Sequence, residues 1–515
     1  MAGHGSNNEA IQPGGTAAGA LPLWLRPLPL ALLVAALAVL RLLVAAKAGL
    51  AEDEAYYRLW GLHPAAGYYD HPPMVAWFAF LGQSLFGDTA LGLRFLSVLS
   101  AAIGSAAIWR TGLLLYGARE AGYAVLFLNA SLLIGAGSLL ATPDAASVLF
   151  WGLALWALAE LTASENPWWW LAVGLFAGLG LNAKYSVLFL GAGIVLHLVF
   201  VPQARRWWGA WQLWAGGLLA IALVLPVIGW NAAHDWASFG KQFGRAVPEG
   251  WSTRYLPEFV GAVVGLANPL VAVLAGIGLV RIARAALRGE PAGGLLLWTS
   301  LPFVVYLLAH SLHSRVQGNW PAPLFPVIAL AAALIAARPP AWPGARVWQR
   351  FSAVAIALGL AVSLIVYVHA VVPLTGALAR KDPTHQIRGW AEIGAELQRL
   401  AAEQEAAWIA TDAYGLNAQL AWQLDRAMPV EQVDQRIRYA MRPDPDPERV
   451  ARPALFVAQE RRDPGTERLS ARFAEVEQIA VLTRRSDGTP VERLVVYRVA
   501  EPHAGTPFDP VYPLP

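Results

Sequence analysis

Residues 51–77 read AEDEAYYRLWGLHPAAGYYDHPPMVAW and place four carboxylates and two histidines between the first two long apolar runs. Charged residues are scarce in the sequence that flanks them. Membrane segments tolerate ionisable groups mainly where these line a cavity or a site, so this stretch is a candidate functional segment. The alternative is an ordinary solvated loop, because loops also collect Asp, Pro and Gly for turn formation alone.

The composition of the chain defines its class. Of 515 residues, 57% are hydrophobic and only 14% are charged, which predicts a polytopic α-helical membrane protein. The formal net charge of +3 is too small to indicate a nucleic-acid partner. The chain has no cysteine, so it can form neither a disulfide nor a thiolate metal site, and an oxidising compartment would not alter it.

Apolar runs long enough to cross a bilayer predict about eleven spans. They cover residues 28–48, 89–114, 121–140, 145–163, 168–182, 185–201, 211–230, 258–280, 294–310, 321–337 and 351–372. A cytoplasmic N-terminus follows from the basic residues that it places inside, among them Arg110, Arg119, Arg205, Arg206, Arg281, Arg284, Arg288, Arg338, Arg346 and Arg350. The same topology places residues 49–88, 141–144, 182–185, 231–257 and 310–320 outside, together with everything after residue 373.

Three regions follow from these patterns. Residues 1–20 are small, polar and aperiodic and are predicted to form a disordered cytoplasmic tail. Residues 21–372 form the predicted transmembrane catalytic domain, whose first apolar run is interpreted as an uncleaved span. Residues 373–515 are rich in charge and proline, and their helical and strand-like segments predict a soluble α/β domain on the outer side.

Most of the unusual chemistry lies in the outer loops, which indicates a site on one face of the membrane. A flippase or transporter would instead place polar residues or helix breaks near the middle of the bilayer. Arg41 and the segment 129–131 are the nearest candidates, and both are interpreted as isolated packing residues or residues at helix ends. A sensor would need a cytoplasmic output domain, whereas the inner loops are short.

Five sequence motifs carry a resemblance to a known family. They are DEAYY (53–57), GYYDHPPMVAW (67–77), ATPDA (141–145), NAAHDWASF (231–239) and SRVQGNWPAPLFP (314–326). Over roughly residues 30–337 the chain resembles the polyprenyl-phosphate-sugar-dependent glycosyltransferases of family 39 in motif order and membrane placement. That group has the C-type membrane fold and includes protein O-mannosyltransferases and the lipid A aminoarabinose transferase.

The resemblance implies an outward-facing, inverting site in which Asp53 is the base. The adjoining substrate-binding candidates on the first motifs are Glu54, Tyr57, Tyr69, Asp70 and His71. A carboxylate is needed to orient or deprotonate the acceptor, and cations are needed to stabilise the leaving phosphate. Lys184 and Arg315 are candidates for the second task, although both could equally be snorkelling to lipid headgroups.

Further candidates have simpler alternatives. Asp144 fits an acidic cluster with Asp53, but alone it is better explained as the N-cap of the next helix. His234 and Asp235 could contact substrate or belong to a polar loop. No cofactor is required, yet a divalent cation at Asp70 and His71, with Glu54 and Asp144 nearby, is possible because carboxylates and imidazole suit Zn²⁺ or Mn²⁺.

The predicted function is transfer of a sugar from a polyprenyl-phosphate donor to a periplasmic acceptor by a multi-pass protein of the bacterial inner membrane. Lipid A or the lipopolysaccharide core is the first choice of acceptor, and a serine or threonine of an exported protein is the second. An aminoarabinose donor is not supported, because a histidine, His71, stands where the aminoarabinose transferase has a lysine.

Overall fold

The computed structural model describes residues 21–245, 250–373, 381–424, 428–503 and 507–511. The predicted disordered tail, residues 1–20, lies outside the described residues. Up to residue 373 the apolar runs of the described chain are mostly helical. Short 3₁₀ turns and loops join the helices.

The helices of this half begin and end at defined residues. They are α1 (Pro27–Lys47), α2 (Glu52–Leu62), α3 (Met74–Phe86), α4 (Ala90–Leu115), α5 (Ala118–Ala130), α6 (Leu132–Gly135), α7 (Pro143–Ser164), α8 (Trp169–Leu181), α9 (Leu188–Phe200), α10 (Trp211–Ala233), α11 (Ala237–Gly244), α12 (Tyr255–Ala267), α13 (Pro269–Leu287), α14 (Pro291–His310), α15 (Phe325–Ala337) and α16 (Ala345–Val371).

In the described chain, seven of these helices are long and apolar enough to span a membrane, and the number rises to nine if two bent pairs are each one span. The shorter apolar segments Trp169–Leu181 and Ala322–Ala337 account for the remaining predicted runs. The prediction of a polytopic helical membrane protein is therefore confirmed, with several segments shorter or more bent than hydropathy alone indicates.

The predicted run 258–280 is wrong as a single span. The helix breaks at Asn268, whose φ of 74° lies in the left-handed region. Its side chain caps α13 by accepting a hydrogen bond from the Leu270 amide (3.1 Å) and donates to the carbonyl of Ala355 (2.8 Å). Pro269 then begins α13, as proline often does at the first helical position.

A buried polar network surrounds Arg41 in α1. Its Nε donates to the Tyr367 hydroxyl (2.9 Å) and its Nη2 to Asn129 Oδ1 (3.1 Å). Tyr367 in turn donates to the carbonyl of Gly135, next to the 69° bend that follows α5. Arg41 and Asn129 are therefore not isolated: together they satisfy polar groups at a helix break, and Asn129 lies at the end of α5, as the other interpretation has it.

The C-terminal half contains helices and one sheet. The helices are α17 (Trp390–Glu403), α18 (Tyr414–Gln423), α19 (Pro447–Val450) and α20 (Gly465–Ser470), and the strands are β1 (Trp408–Thr411), β2 (Val430–Gln432), β3 (Ala454–Gln459), β4 (Phe473–Ser486) and β5 (Thr489–Pro502). The sheet order is β2-β1-β3-β5-β4. The first three strands are parallel, and β5 is antiparallel to both of its neighbours. The α/β class is confirmed.

The C-terminal half docks on the membrane half through α18 and α2. Gln419 donates to the carbonyl of Leu50 (2.6 Å), and a side chain at Gly415 would meet Glu52 at 2.6 Å. Ala418 and Tyr439 belong to the same buried apolar cluster as the aromatic face of α2. This contact places the start of α18 beside the carboxylates of residues 52–54.

Candidate active site

The start of α2 is held by a buried ion pair. Glu54, 1% exposed, receives two hydrogen bonds from Arg94 of α4, at 2.7 and 2.6 Å. Its carboxylate also accepts the amides of Ala51 (3.0 Å) and Ala141 (2.9 Å). Because four donors satisfy this carboxylate, its geometry is that of a positioning residue, and its substrate-binding role stays a prediction.

Asp53, one residue earlier, keeps an exposed side chain although protein surrounds it on most sides. The hydroxyl of Tyr414, from α18, donates to its Oδ1 at 2.9 Å. Burial by the surrounding protein raises the pKa of Asp53, and the Tyr414 hydrogen bond opposes that rise. The predicted base therefore lies where the two halves of the molecule meet, and its role as a base stays a prediction.

Asp70 lies at the centre of a second cluster. It is buried and is contacted by Lys241 of α11 and by Arg438 Nη1, which lies 2.6 Å from both carboxylate oxygens. The Tyr56 hydroxyl donates to Oδ2 at 3.0 Å. Burial alone would raise the pKa of Asp70, but the charges of Lys241 and Arg438 outweigh it and hold the pKa below its ordinary value.

Asp144 joins three outer segments. Lys184 donates to its Oδ1 and Asn319 to its Oδ2, each at 2.6 Å. The explanation of Asp144 as an N-cap is wrong, because the cap of α7 is Thr142 and Asp144 lies inside the first turn. Its carboxylate therefore faces a cation and an amide instead of capping the helix.

His71 lies between the two clusters. Burial lowers its pKa to about 4, helped by the charge of Lys184, while Asp70 and Asp144 oppose the shift. The imidazole is therefore neutral near pH 7, so contact with a phosphate would have to come from a neutral N–H. Tyr57 packs edge-on against it, with ring centroids 6.2 Å apart.

The ring of Tyr69 forms a platform for the cations around Asp70. The Lys241 ammonium lies 4.1 Å from the ring centroid and the Arg438 guanidinium 5.5 Å. Such stacking stabilises a cation beside an aromatic face. Tyr69 is thus placed to orient both cations, while its predicted contact with substrate remains untested.

The remaining predicted residues lie apart from these clusters. His234 stacks on Trp230, with ring centroids 4.0 Å apart, and its Nδ1 lies 2.7 Å from the Trp230 carbonyl oxygen. Asp235 follows in the exposed turn before α11, with a φ of 50°. Arg315 forms an exposed ion pair with Glu258 (2.7 Å). Substrate contacts by these residues stay predictions.

The carboxylates and imidazole considered for a divalent cation are partnered with other groups. Within the described ranges, no set of three or more His, Asp or Glu side chains has a metal-binding arrangement. Asp70 is engaged by two cations, and Glu54 by Arg94. The donor set around Asp70 and His71 therefore does not fit a divalent metal ion.

A cavity of about 240 Å³ extends from Asp144 and Asn319 into the helical bundle. Its walls are mostly apolar, contributed by α4, the broken segment after α5, and α7. Three serines lie among these apolar walls, Ser97, Ser100 and Ser138. An apolar cavity that ends at a charged cluster suits a ligand with a hydrocarbon part and a polar head.

Four residues of these clusters were not singled out as site residues from the sequence alone. They are Lys241, Asn319, Tyr414 and Arg438. Lys241 and Asn319 lie in predicted outer loops, 231–257 and 310–320, so the sequence carried a signal for their side of the membrane. Arg438 lies in a short 3₁₀ turn, Arg436–Tyr439, far from the other residues along the chain, and no local pattern marks it.

Comparison with known proteins agrees with this architecture. The model of the dolichyl-phosphate-mannose-protein mannosyltransferase family matches residues 70–230. A lipid A galacturonosyltransferase of Rhizobium johnstonii is 24% identical over 386 residues, covering 72% of this chain and 77% of the relative. An undecaprenyl phosphate-alpha-4-amino-4-deoxy-L-arabinose arabinosyl transferase of Edwardsiella ictaluri is 28% identical over 291 residues, which span 52% of this chain and about half (49%) of the relative.

Among solved structures, ArnT from Cupriavidus metallidurans bound to undecaprenyl phosphate superposes with a TM-score of 0.63 at 16% identity. The match covers 92% of this chain and 98% of that one. Taken together, the fold and the sequence matches define a multi-pass membrane protein with the C-type glycosyltransferase fold. The chain has the fold of this class, and its sequence matches resemble the glycosyltransferases that its motifs predicted.

Proposed function

We propose that this protein transfers a sugar from a polyprenyl-phosphate donor to lipid A or the lipopolysaccharide core, with inversion, at the periplasmic face of the bacterial inner membrane. The observation that carries the proposal is the placement of an accessible carboxylate, Asp53, at one end of a membrane bundle where cations also gather. Three cations, Lys184, Lys241 and Arg438, there face two carboxylates, Asp70 and Asp144.

The chemistry assigns a task to each group. A hydroxyl of the acceptor attacks C1 of the sugar as Asp53 accepts its proton. The bond between the acceptor oxygen and C1 forms, and the bond between C1 and the phosphate oxygen breaks. The electron pair of the broken bond leaves with the polyprenyl phosphate. Because that group departs as an anion, it needs cations and no general acid.

The relatives support the choice of substrates. One is named for lipid A and galacturonic acid, and others for an undecaprenyl-phosphate-linked aminoarabinose. The two cations that contact Asp70, Lys241 and Arg438, favour an anionic or neutral sugar over an amino sugar beside them, since like charges repel. We therefore take a galacturonosyl donor as the first to test. The prenyl chain would occupy the apolar cavity below Asp144.

Orientation is part of the proposal. The loops that carry Asp70, Asp144, Lys184 and Lys241 meet at one end of the bundle, together with the C-terminal half. The basic residues of the intervening loops would then lie in the cytoplasm. This arrangement supports a periplasmic site.

The test is mass spectrometry of lipid A, core glycan and exported proteins from a strain that lacks the gene and from the complemented strain. We expect one sugar to disappear from lipid A or core and to return on complementation. A sugar lost only from exported proteins would assign the protein O-glycosyltransferase activity instead. Unchanged glycans in all three fractions would contradict the proposed function. The alternative of a flippase or transporter would then be tested.

A further inference from the structure

Tyr414 reaches the membrane half from the C-terminal half of the chain. It is the first residue of α18, and its hydroxyl donates to Asp53 Oδ1 at 2.9 Å. The docking of α18 on α2 brings it there, since Gly415 and Gln419 contact residues 50–52 directly. The contact therefore depends on how the two halves pack together.

Tyr414 is itself held on several sides. The Tyr439 hydroxyl donates to its carbonyl oxygen at 2.8 Å. The Arg438 guanidinium lies 4.3 Å above its ring, and the ring of Tyr56 packs edge-on with centroids 5.1 Å apart. A phenol fixed in this way can hold a carboxylate in one orientation at little entropic cost.

We propose that Tyr414 is a positioning residue for Asp53, so that the C-terminal half orients the base. This inference rests on the proposed function, because it concerns the group there assigned as the base. Tyr414 does not act on the substrate itself. Its hydroxyl restrains the Asp53 carboxylate, which is exposed.

The charges around Asp53 make the hydroxyl important. On α2, Asp53 is flanked by Glu52 and Glu54, and Asp70 faces it from the following loop. Burial and these acidic neighbours raise its pKa, while Tyr414 and then Arg438 lower it. Burial and the neighbouring anion of Asp53 raise the pKa of Tyr414, so it stays a protonated donor. Removing the hydroxyl removes the larger of the two influences that lower the pKa of Asp53.

The first test compares the pH dependence of kcat/KM for the wild type and Tyr414→Phe, in vesicles with synthetic undecaprenyl-phosphate galacturonic acid and lipid A. Activity falls as pH drops through the pKa of the base. Loss of one hydrogen bond to a carboxylate should move this fall in activity to higher pH by about one unit. In that pH range, kcat/KM of the variant should be roughly tenfold lower. At higher pH the loss should be smaller. Tyr497→Phe, which removes a hydroxyl bonded to Asp463 instead, is the matched control and should keep the wild-type profile.

The second test needs no substrate. 3-Fluorotyrosine at position 414 gives a fluorine resonance that should shift as Asp53 titrates. The shift should be absent when Asp53→Asn is added. This measurement also reports whether the protein is folded, since a dispersed resonance requires the packed ring.

The outcomes are separable. If the wild type transfers sugar and Tyr414→Phe has the same pH profile, the inference is overturned. A fluorine resonance that titrates identically with and without Asp53 overturns it as well. If the wild type transfers no sugar from this donor, the kinetic experiment counts against the proposed function. The fluorine measurement alone then decides the Tyr414 assignment.

Discussion

At the scale of single residues, Asp53 combines two properties that a base needs. Its carboxylate is accessible, and opposing influences act on its pKa: burial raises it and the Tyr414 hydrogen bond lowers it. A carboxylate that is more basic than usual accepts a proton more readily. Glu54 beside it forms a buried ion pair with Arg94. The two neighbouring carboxylates therefore have different environments, which suits different tasks.

Changing Asp53 to asparagine should abolish sugar transfer while the protein stays in the membrane, because the amide cannot accept the proton of the acceptor. Turnover in membrane vesicles and the amount of membrane-inserted protein are measured together. Asp444→Asn, at an exposed carboxylate paired with Arg436, is the matched control. Near-normal turnover in the Asp53 variant would remove this residue from the role of base.

His71 should make the fold sensitive to acid. Its folded-state pKa of about 4 lies below the ordinary 6.5. Between these two pH values the imidazole is protonated in the unfolded chain and neutral in the folded protein. The stability contributed by the neutral imidazole is complete above pH 6.5 and is lost as the pH falls toward 4. In detergent, the Tm of His71→Gln should therefore fall less between neutral and acidic pH than the wild-type Tm.

The control for this experiment is His503→Gln, at an exposed histidine of the C-terminal half. It should reproduce the wild-type dependence of Tm on pH. If His71→Gln also does so, the imidazole is not held neutral by burial.

At the scale of helices and strands, hydropathy and turn residues located most elements but not all of their ends. The apolar run across Asn268 hides a break, although the Asn-Pro pair at 268–269 is a helix-start signal that could have been used. Strand β2 is only three residues long and has too little pattern to detect. Polar contacts across elements, such as Arg41 with Asn129, depend on packing that no local pattern encodes.

The Glu54–Arg94 pair is a contact between elements whose loss should be costly. Glu54→Gln leaves the Arg94 guanidinium, 2% exposed, without its counter-charge. Breaking one side of a buried pair costs about 3–5 kcal/mol, so the Tm in detergent should drop markedly. Replacing both residues by glutamine should recover part of the loss.

The matched control is Glu165→Gln, which breaks an exposed pair with Arg206. An exposed pair contributes about 0–1 kcal/mol, so this Tm should barely change. Equal losses from Glu54→Gln and Glu165→Gln would argue against a special role for the buried pair.

At the scale of the whole molecule, the candidate site is assembled from segments distant in sequence. The sequence predicted that Asp53, Asp70, Asp144 and Lys184 share one face, because alternate loops share a side of the membrane. It could not predict that Arg438 and Lys241 meet at Asp70, since pairing between distant segments depends on the docking of α18 and the position of α11. Which loops lie at the same end of the bundle is thus readable from hydropathy, whereas the partners of each side chain are not.

The proposed topology can be tested directly. A reporter that is active only in the periplasm, fused after Arg380, should be active because the span count places the C-terminal half outside. Fusion after Arg205, in a predicted inner loop, is the matched control and should be inactive. The opposite pattern would invert the side assigned to every site residue.

The Glu54–Arg94 pair also has a consequence for the biogenesis of the protein. The two residues are 40 positions apart, and Glu54 is synthesised first. An arginine that enters the bilayer before it has a partner is costly, and this one meets a carboxylate that has already left the ribosome. We therefore expect α1 to α4 to leave the translocation channel as one unit, and a chain without α2 to leave α4 stalled at the channel.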